Sequence, residues 1–225
     1  MRVNVIGVGQ AGGRIADLLV HYDVWGRHKH IVANCIAINT SASDLAGLRN
    51  IPKKNRILIG QAWVRGHGVG LNNILAAKIM EAEHHIIRRM LSESAMRDVD
   101  AFLIIASLGG GTGSGGAPIL TRALKEAFSE PVYVLGILPS DDEGRLMALN
   151  ASRSIVSLKG IADGIILFDN NLWRREDLPL HESYEEMNHQ IVKPLPMLFG
   201  AGEATDKSHI GVKVVDAQDL SLIHI

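Results

Sequence analysis

The sequence predicts an α/β fold, a Rossmann-like parallel sheet with helices on both faces. Three observations predict it. Short apolar runs of strand length alternate with longer helix-like segments, as a parallel sheet covered on both sides requires. Apolar residues make up 47% of the 225-residue chain and aromatics only 4%, so the core must be packed from Ala, Ile, Leu and Val. Two glycine-rich segments, 7–12 and 109–115, each interrupt the chain where a strand run ends, and ordering glycine costs backbone entropy.

Taken in order, strands are read near Val3–Val8, Ile31–Ile38, Ile57–Ile59, Ala101–Leu108, Val132–Leu138 and Gly164–Phe168. The first gives way to a glycine turn, the second to Asn39-Thr40 and the fourth to the glycine string. Pro139 closes the fifth and Asp169 the sixth. Helices are read over 11–22, 73–91, 115–128, 144–159 and 181–193. The second of these has a cap at Asn72 or Asn73 and apolar positions at Ile74, Ala77, Ile79, Ile86 and Met90. Internal repeats and low-complexity tracts are absent. In a sheet of this kind ligands bind at the carboxyl ends of the strands.

Composition narrows the class further. A net charge of −1 gives no reason to expect a nucleic-acid partner. Cys35 is alone in an apolar run, which excludes a disulfide framework and suits a reducing, cytoplasmic setting. No stretch reaches the roughly 18 apolar residues of a membrane span. The first strand begins at Arg2, so no targeting peptide is expected ahead of the fold. His28, His30, His84 and His85 match no standard zinc spacing. Trp25, Trp63 and Trp173 are expected to be packing residues.

The segment Gly109-Gly110-Gly111-Thr112-Gly113-Ser114-Gly115 has five glycines in seven residues. Closely spaced N–H groups around Thr112 and Ser114, leading into a helix N-terminus, suit a phosphate chain. It is not a Walker A loop, because no Lys-Ser or Lys-Thr pair follows it. Gly7-Val8-Gly9-Gln10-Ala11-Gly12 satisfies the dinucleotide pattern G-x-G-x-x-G. That pattern also wants an acidic residue after the second strand, where this chain has Asn39-Thr40. A dinucleotide site has no use for a second glycine loop either. An NAD-linked oxidoreductase is therefore the weak alternative, and the first motif reads better as half of a two-loop phosphate cradle.

The 109–115 string resembles the signature of the tubulin and FtsZ superfamily, and other loops resemble that family in the same order. Gly9-Gln10-Ala11-Gly12 is similar to its first nucleotide loop, in the tubulin-like form with Gln near the phosphates and magnesium. Ala37-Ile38-Asn39-Thr40 resembles the second loop, and Arg65-Gly66-His67-Gly68-Val69-Gly70-Leu71-Asn72 the third, which senses the γ-phosphate. The 109–115 string is the fourth. Pro139 to Arg145 resembles the fifth, with Glu143 accepting bonds from ribose hydroxyls and Asp141 and Asp142 solvated. Phe168-Asp169-Asn170-Asn171 resembles the sixth, which reaches sugar and base. The Gly-His-Gly-Val-Gly string, Asp-Asp-Glu-Gly and Leu198-Phe-Gly-Ala-Gly-Glu203 look most like the archaeal CetZ branch.

The resemblance implies GTP or GDP with Mg2+ as the bound group. The metal is held mainly by the phosphates, with Gln10 nearby and no direct protein ligand, and His67 is a donor to the γ-phosphate. Tyr184 and Asn188 are four apart and share a helix face. Tyr184 can lie against a purine while Asn188 offers both a donor and an acceptor, a pattern that favours guanine over adenine by about 1–3 kcal/mol. No general base for water is evident in these loops. The family supplies it from the seventh loop of the next subunit, where Asp216 and Asp219 have the family's spacing. The resemblance therefore implies a cytoskeletal GTPase for cell shape or division, assembling head to tail with itself, whose isolated subunit binds GTP but hydrolyses it poorly.

The expected organisation is a GTP-binding domain over 1–180, a core helix over 181–203, and the start of a second domain with the seventh loop over 204–219. Pro194 and Pro196 would break that core helix near Lys193. The rest of the second domain is expected to be missing, and 220–225 to be a non-native tail. A non-polymerising GTP-binding module that lacks the activation domain is the alternative reading.

Overall fold

The computed structural model describes residues 1–25, 31–93, 99–175 and 177–200. Asp216, Asp219, His28, His30, the 204–219 segment and the 220–225 tail lie outside them.

Strand β1 (Val3–Val8) runs directly into helix α1 (Gly9–Trp25), followed by β2 (Val32–Asn39), the short α2 (Ala42–Ala46) and β3 (Arg56–Leu58). Then come α3 (Gln61–Val64), α4 (Asn73–Glu93), β4 (Ala101–Ser107), α5 (Gly111–Ala127), β5 (Val132–Leu138) and α6 (Arg145–Leu158). β6 (Gly164–Asp169), α7 (Asn170–Trp173), α8 (Leu180–Val192) and α9 (Leu195–Gly200) complete the described chain. The six strands form one parallel sheet in the order β3-β2-β1-β4-β5-β6. The order reverses between β1 and β4, and a crevice opens at such a reversal.

Alternation along the strands divides the core into two layers. Ile6, Val8, Phe102, Ile104 and Val134 face one side with Met80, Ile87 and Leu120 of α4 and α5. Val3, Val5, Leu103, Ile105 and Leu135 face the other with Ile15 and Leu19 of α1, Ile191 of α8 and Phe199 of α9. Burial on both faces explains why these strands read as continuous apolar runs rather than alternating ones.

Three expectations need correction. The buried stripe of α4 is Ala76, Ile79, Met80, Ile87 and Leu91, while Ile74 and Ile86 are exposed. Ile74 lies two residues before Ala76, about 200° round the helix, and so points away from the layer that Ala76 joins. Helix α5 starts at Gly111, not 115, so most of the glycine string is helical. Trp63 is exposed rather than packed, whereas Trp173, half-exposed, packs on Phe168 with ring centroids 5.7 Å apart, and the Trp25 side chain lies outside the described ones. Asn72 caps α4, its side-chain oxygen accepting from the Leu75 N–H at 2.9 Å. α8 ends at Val192 and the chain turns helical again at Leu195, with Pro194 between them unable to donate to a continuous ladder.

Candidate functional site

A cavity of about 550 Å³ opens where β1 and β4 end, at the reversal of strand order. Its walls come from elements far apart in sequence. Gly9, Gln10 and Ala11 open α1, Asn39 ends β2, and His67 and Gly68 belong to the loop before α4. Gly110, Gly111, Thr112 and Gly113 open α5, and Glu143, Asn170, Tyr184 and Asn188 line the opposite end. Arg14, Asp44, Met147, Met187 and Ile191 also line it and carry no motif that sequence reading could use.

Five expected site residues do not line the cavity. Four of them, Gly12, Gly109, Ser114 and Gly115, serve close packing around it. A Cβ built on Gly12 would lie 2.2 Å from the Ile105 carbonyl oxygen, and one on Gly115 would lie 2.1 Å from that of Asn73. A Cβ on Gly109 would press on Pro139 and Met147 at 3.0–3.2 Å. Ser114 is buried and its hydroxyl donates to the Gly110 carbonyl. Gly66, at φ +79°, shapes the loop that carries His67.

Gly111 and Gly113 line the cavity and are also packing residues, since a Cβ on each would sit 2.3 Å from the Gly70 oxygen and 2.4 Å from the Ser107 oxygen respectively. Much of the glycine string is thus required by backbone packed on backbone. Gly110 differs. Its φ is −70°, which any residue can adopt, yet a Cβ there meets nothing within 4 Å. It leaves open space at the α5 N-terminus, and that helix has no side-chain cap. The first N–H groups of a helix have no intrahelical acceptor. With α1 opening on the same cavity, two positive helix ends converge on one space, an arrangement suited to a phosphate chain.

The loops are tied together around that space. Thr40 Oγ1 lies 2.9 Å from Thr112 Oγ1 and accepts from the Val69 N–H at 3.2 Å. The Gly111 N–H donates to Gly70 O at 3.1 Å, and Ser41 pairs with His67. Asn39 Oδ1 accepts from the N–H groups of Thr40 and Ser41, and its amide donates to Asp44 at 3.1 Å. Asn39 therefore shapes the loop after β2 as well as lining the cavity.

At the far end, Glu143 accepts from the Ser140 N–H at 2.7 Å and from the Tyr184 hydroxyl at 3.2 Å. Burial, followed by the neighbouring Glu143 charge, raises the Tyr184 pKa. A raised pKa means that the contribution of protonated Tyr184 is present below the ordinary value near 10 and is lost as pH rises through the folded value. Phenolate absorbance titrations of the parent and of Tyr184→Phe should therefore differ by one late-titrating tyrosine. Asp142, expected to be solvated, pairs with Arg174 and accepts from the Ser140 hydroxyl at 2.7 Å. Those two bonds, the Ser140 one first, lower its pKa. Among the described residues no cluster of His, Cys, Asp or Glu is arranged to hold a metal, and no helix is long and apolar enough to cross a membrane.

Comparison with known proteins gives this geometry a family. Residues 2–176 match the model of the tubulin/FtsZ family GTPase domain, and residues 177–222 that of the tubulin-like CetZ C-terminal domain. The chain is 44% identical over 220 residues to tubulin-like protein CetZ1 of Haloferax volcanii, covering 98% of this chain and 55% of that protein. It thus spans about half the length of the curated relatives it matches. The solved GDP-bound monomer of CetZ1 superposes with a TM-score of 0.87 over 92% of this chain and 62% of that one. The GTPγS-bound protofilament of CetZ2 from the same organism, 39% identical, gives 0.86 over 92% of this chain and 61% of that one. With its GTPase-domain match running through all six strands, the chain belongs to the tubulin/FtsZ family.

Proposed function

We propose that this chain is the nucleotide-binding part of a CetZ-type cytoskeletal GTPase, acting in the cytoplasm and assembling head to tail with copies of itself. The observation that carries the reading is the cavity, where two helix N-termini and the open space at Gly110 face a wall holding Tyr184 and Asn188. Phosphates lie at the glycine end, within reach of Gln10, Thr112 and His67. The base lies against Tyr184, with Asn188 reading its edge and Asn170 and Glu143 beside the sugar. The relatives solved with GDP and with GTPγS support a guanine nucleotide. Magnesium comes with the phosphates, which it neutralises.

Two carboxylates line the cavity, Asp44 and Glu143. Asp44 is bonded to Asn39, and Glu143 to Tyr184 and Ser140. Glu143 lies at the sugar end, and in this reading hydrolysis is completed by Asp216 and Asp219 of an adjoining copy. Leu71, Ile74, Leu146 and Leu149 are exposed around the loop and helix starts that border the cavity, apolar surface that a second copy would cover. Contact of one face with a different face does not close and so builds a filament. The protofilament form of the CetZ2 relative supports this.

Calorimetry with GTP, ATP and NADH, each with magnesium, tests the site. Selective binding of GTP is the expected result, and equal binding of ATP or preference for NADH would overturn the reading. Light scattering with GTP, on this chain and on one extended to the length of its relatives, tests assembly. Scattering that stays flat for the extended form would favour a non-polymerising GTP-binding module.

A further inference from the structure

Asn150 lies on α6, outside the cavity wall, and is 1% exposed. Its amide nitrogen donates two bonds, to the Leu71 carbonyl at 2.9 Å and to the Gly109 carbonyl at 3.1 Å. Leu71 ends the loop that carries His67, and Gly109 stands one residue before the α5 cap. Both acceptors belong to segments that border the cavity, and they are 38 positions apart in sequence. The Asn150 side-chain oxygen, also buried, has no partner. An apolar side chain of similar size would avoid that orphaned acceptor. The amide is useful at this position for its two donors.

We propose that Asn150 is a positioning residue that clamps the 67–71 loop to the glycine turn at 109–110 and so fixes the gap in which the phosphates lie. On the cavity side the same two segments are joined by the Gly111 N–H to Gly70 O bond. Asn150 supplies the matching tie from behind, so the pair is held on two sides. Preorganised donors reward binding because their geometry is set before the ligand arrives. The role rests on the nucleotide reading above, whereas the clamp itself is a property of the free chain.

The test compares the full chain with Asn150→Ala, with Asn150→Ser, which keeps one donor, and with Ser154→Ala as control. Ser154 lies one turn further along α6, buried, and its hydroxyl has no partner. Amide hydrogen exchange in the absence of nucleotide should rise at 67–72 and 109–113 in Asn150→Ala, less in Asn150→Ser, and not in strands β1, β4 and β5. Calorimetry with GTPγS and magnesium should show an affinity loss of about tenfold for Asn150→Ala, a step of about 1.4 kcal/mol. Ser154→Ala should stay within about twofold of the parent, well under that step. Unchanged loop exchange overturns the clamp, whatever the nucleotide result. Raised exchange with unchanged affinity overturns the positioning role. If Asn150→Ala does not fold, Asn150→Ser carries both readouts. A parent chain that fails to bind GTPγS overturns the nucleotide reading and the role built on it, while the exchange data still judge the clamp.

Discussion

Gly115→Ala should destabilise the chain severely, and Gly110→Ala, five residues earlier in the same string, should leave it as stable as before but weaker in binding its ligand. At Gly115 a methyl would sit 2.1 Å from the Asn73 carbonyl oxygen and 2.9 Å from Ala76 Cβ. Both neighbours are on α4, so the two helices must separate to admit it. Overpacking of this kind costs about 3 kcal/mol or slightly more, which for a chain of this size lowers the melting temperature by roughly 6–12 °C. At Gly110 the φ of −70° suits alanine and no atom stands within 4 Å of the new methyl. Stability should hold or rise by up to about 1 kcal/mol as the unfolded chain loses freedom. The methyl would occupy space in front of the α5 N-terminus, so GTPγS affinity should fall at least about tenfold, or 1.4 kcal/mol. Scanning calorimetry and titration calorimetry on the two variants read both effects. A Gly110→Ala chain that binds like the parent would show that the space at the helix end is not where the ligand lies.

The contrast between those glycines marks how far the sequence could be read. The strands were legible because burial on both faces leaves continuous apolar runs such as Phe102-Leu103-Ile104-Ile105, held to strand length by the glycine string that follows. The cavity wall was legible where its chemistry is local, as in the first glycine turn or the helical spacing of Tyr184 and Asn188. The start of α5 was misplaced by four residues because glycine is a poor helix former. Tertiary packing overrides that preference here, since Gly111, Gly113 and Gly115 give α5 its close approach to backbone carbonyls. Arg14, Asp44 and Met187 were missed for a different reason. Each lies on an ordinary-looking helix, and only the fold turns it to the cavity. Asn150 is the extreme case, since its meaning lies in two carbonyls, 79 and 41 positions away.

Asp17→Ala should remove a second large share of stability, by a mechanism with no trace in the sequence. Asp17 lies in α1, is 8% exposed, and accepts from three successive backbone N–H groups. Those bonds run from Arg49 at 3.1–3.2 Å and from Asn50 and Ile51 at 2.8 Å each, and the Asn50 amide adds a fourth at 2.9 Å. One carboxylate thus organises the chain leaving α2, and Ile51 beside it is fully buried. Alanine would leave that run of donors without acceptors. A single buried donor left unpaired costs about 1–3 kcal/mol. Three neighbouring ones, partly reached by water because Arg49 and Asn50 are exposed, should cost about 3–5 kcal/mol in all. The Asp17→Asn change keeps one acceptor oxygen but turns an NH2 toward the remaining donors, so it should lose a substantial part of the same amount. Urea titration with a constant slope would read these losses as shifts in midpoint. Neither Asp17 nor the 49–51 segment it holds lines the cavity, so GTPγS affinity of the folded variant should stay near that of the parent. A stability loss below about 1 kcal/mol would mean that water replaces the carboxylate as acceptor at little cost, and that the segment is held by Ile51 burial alone.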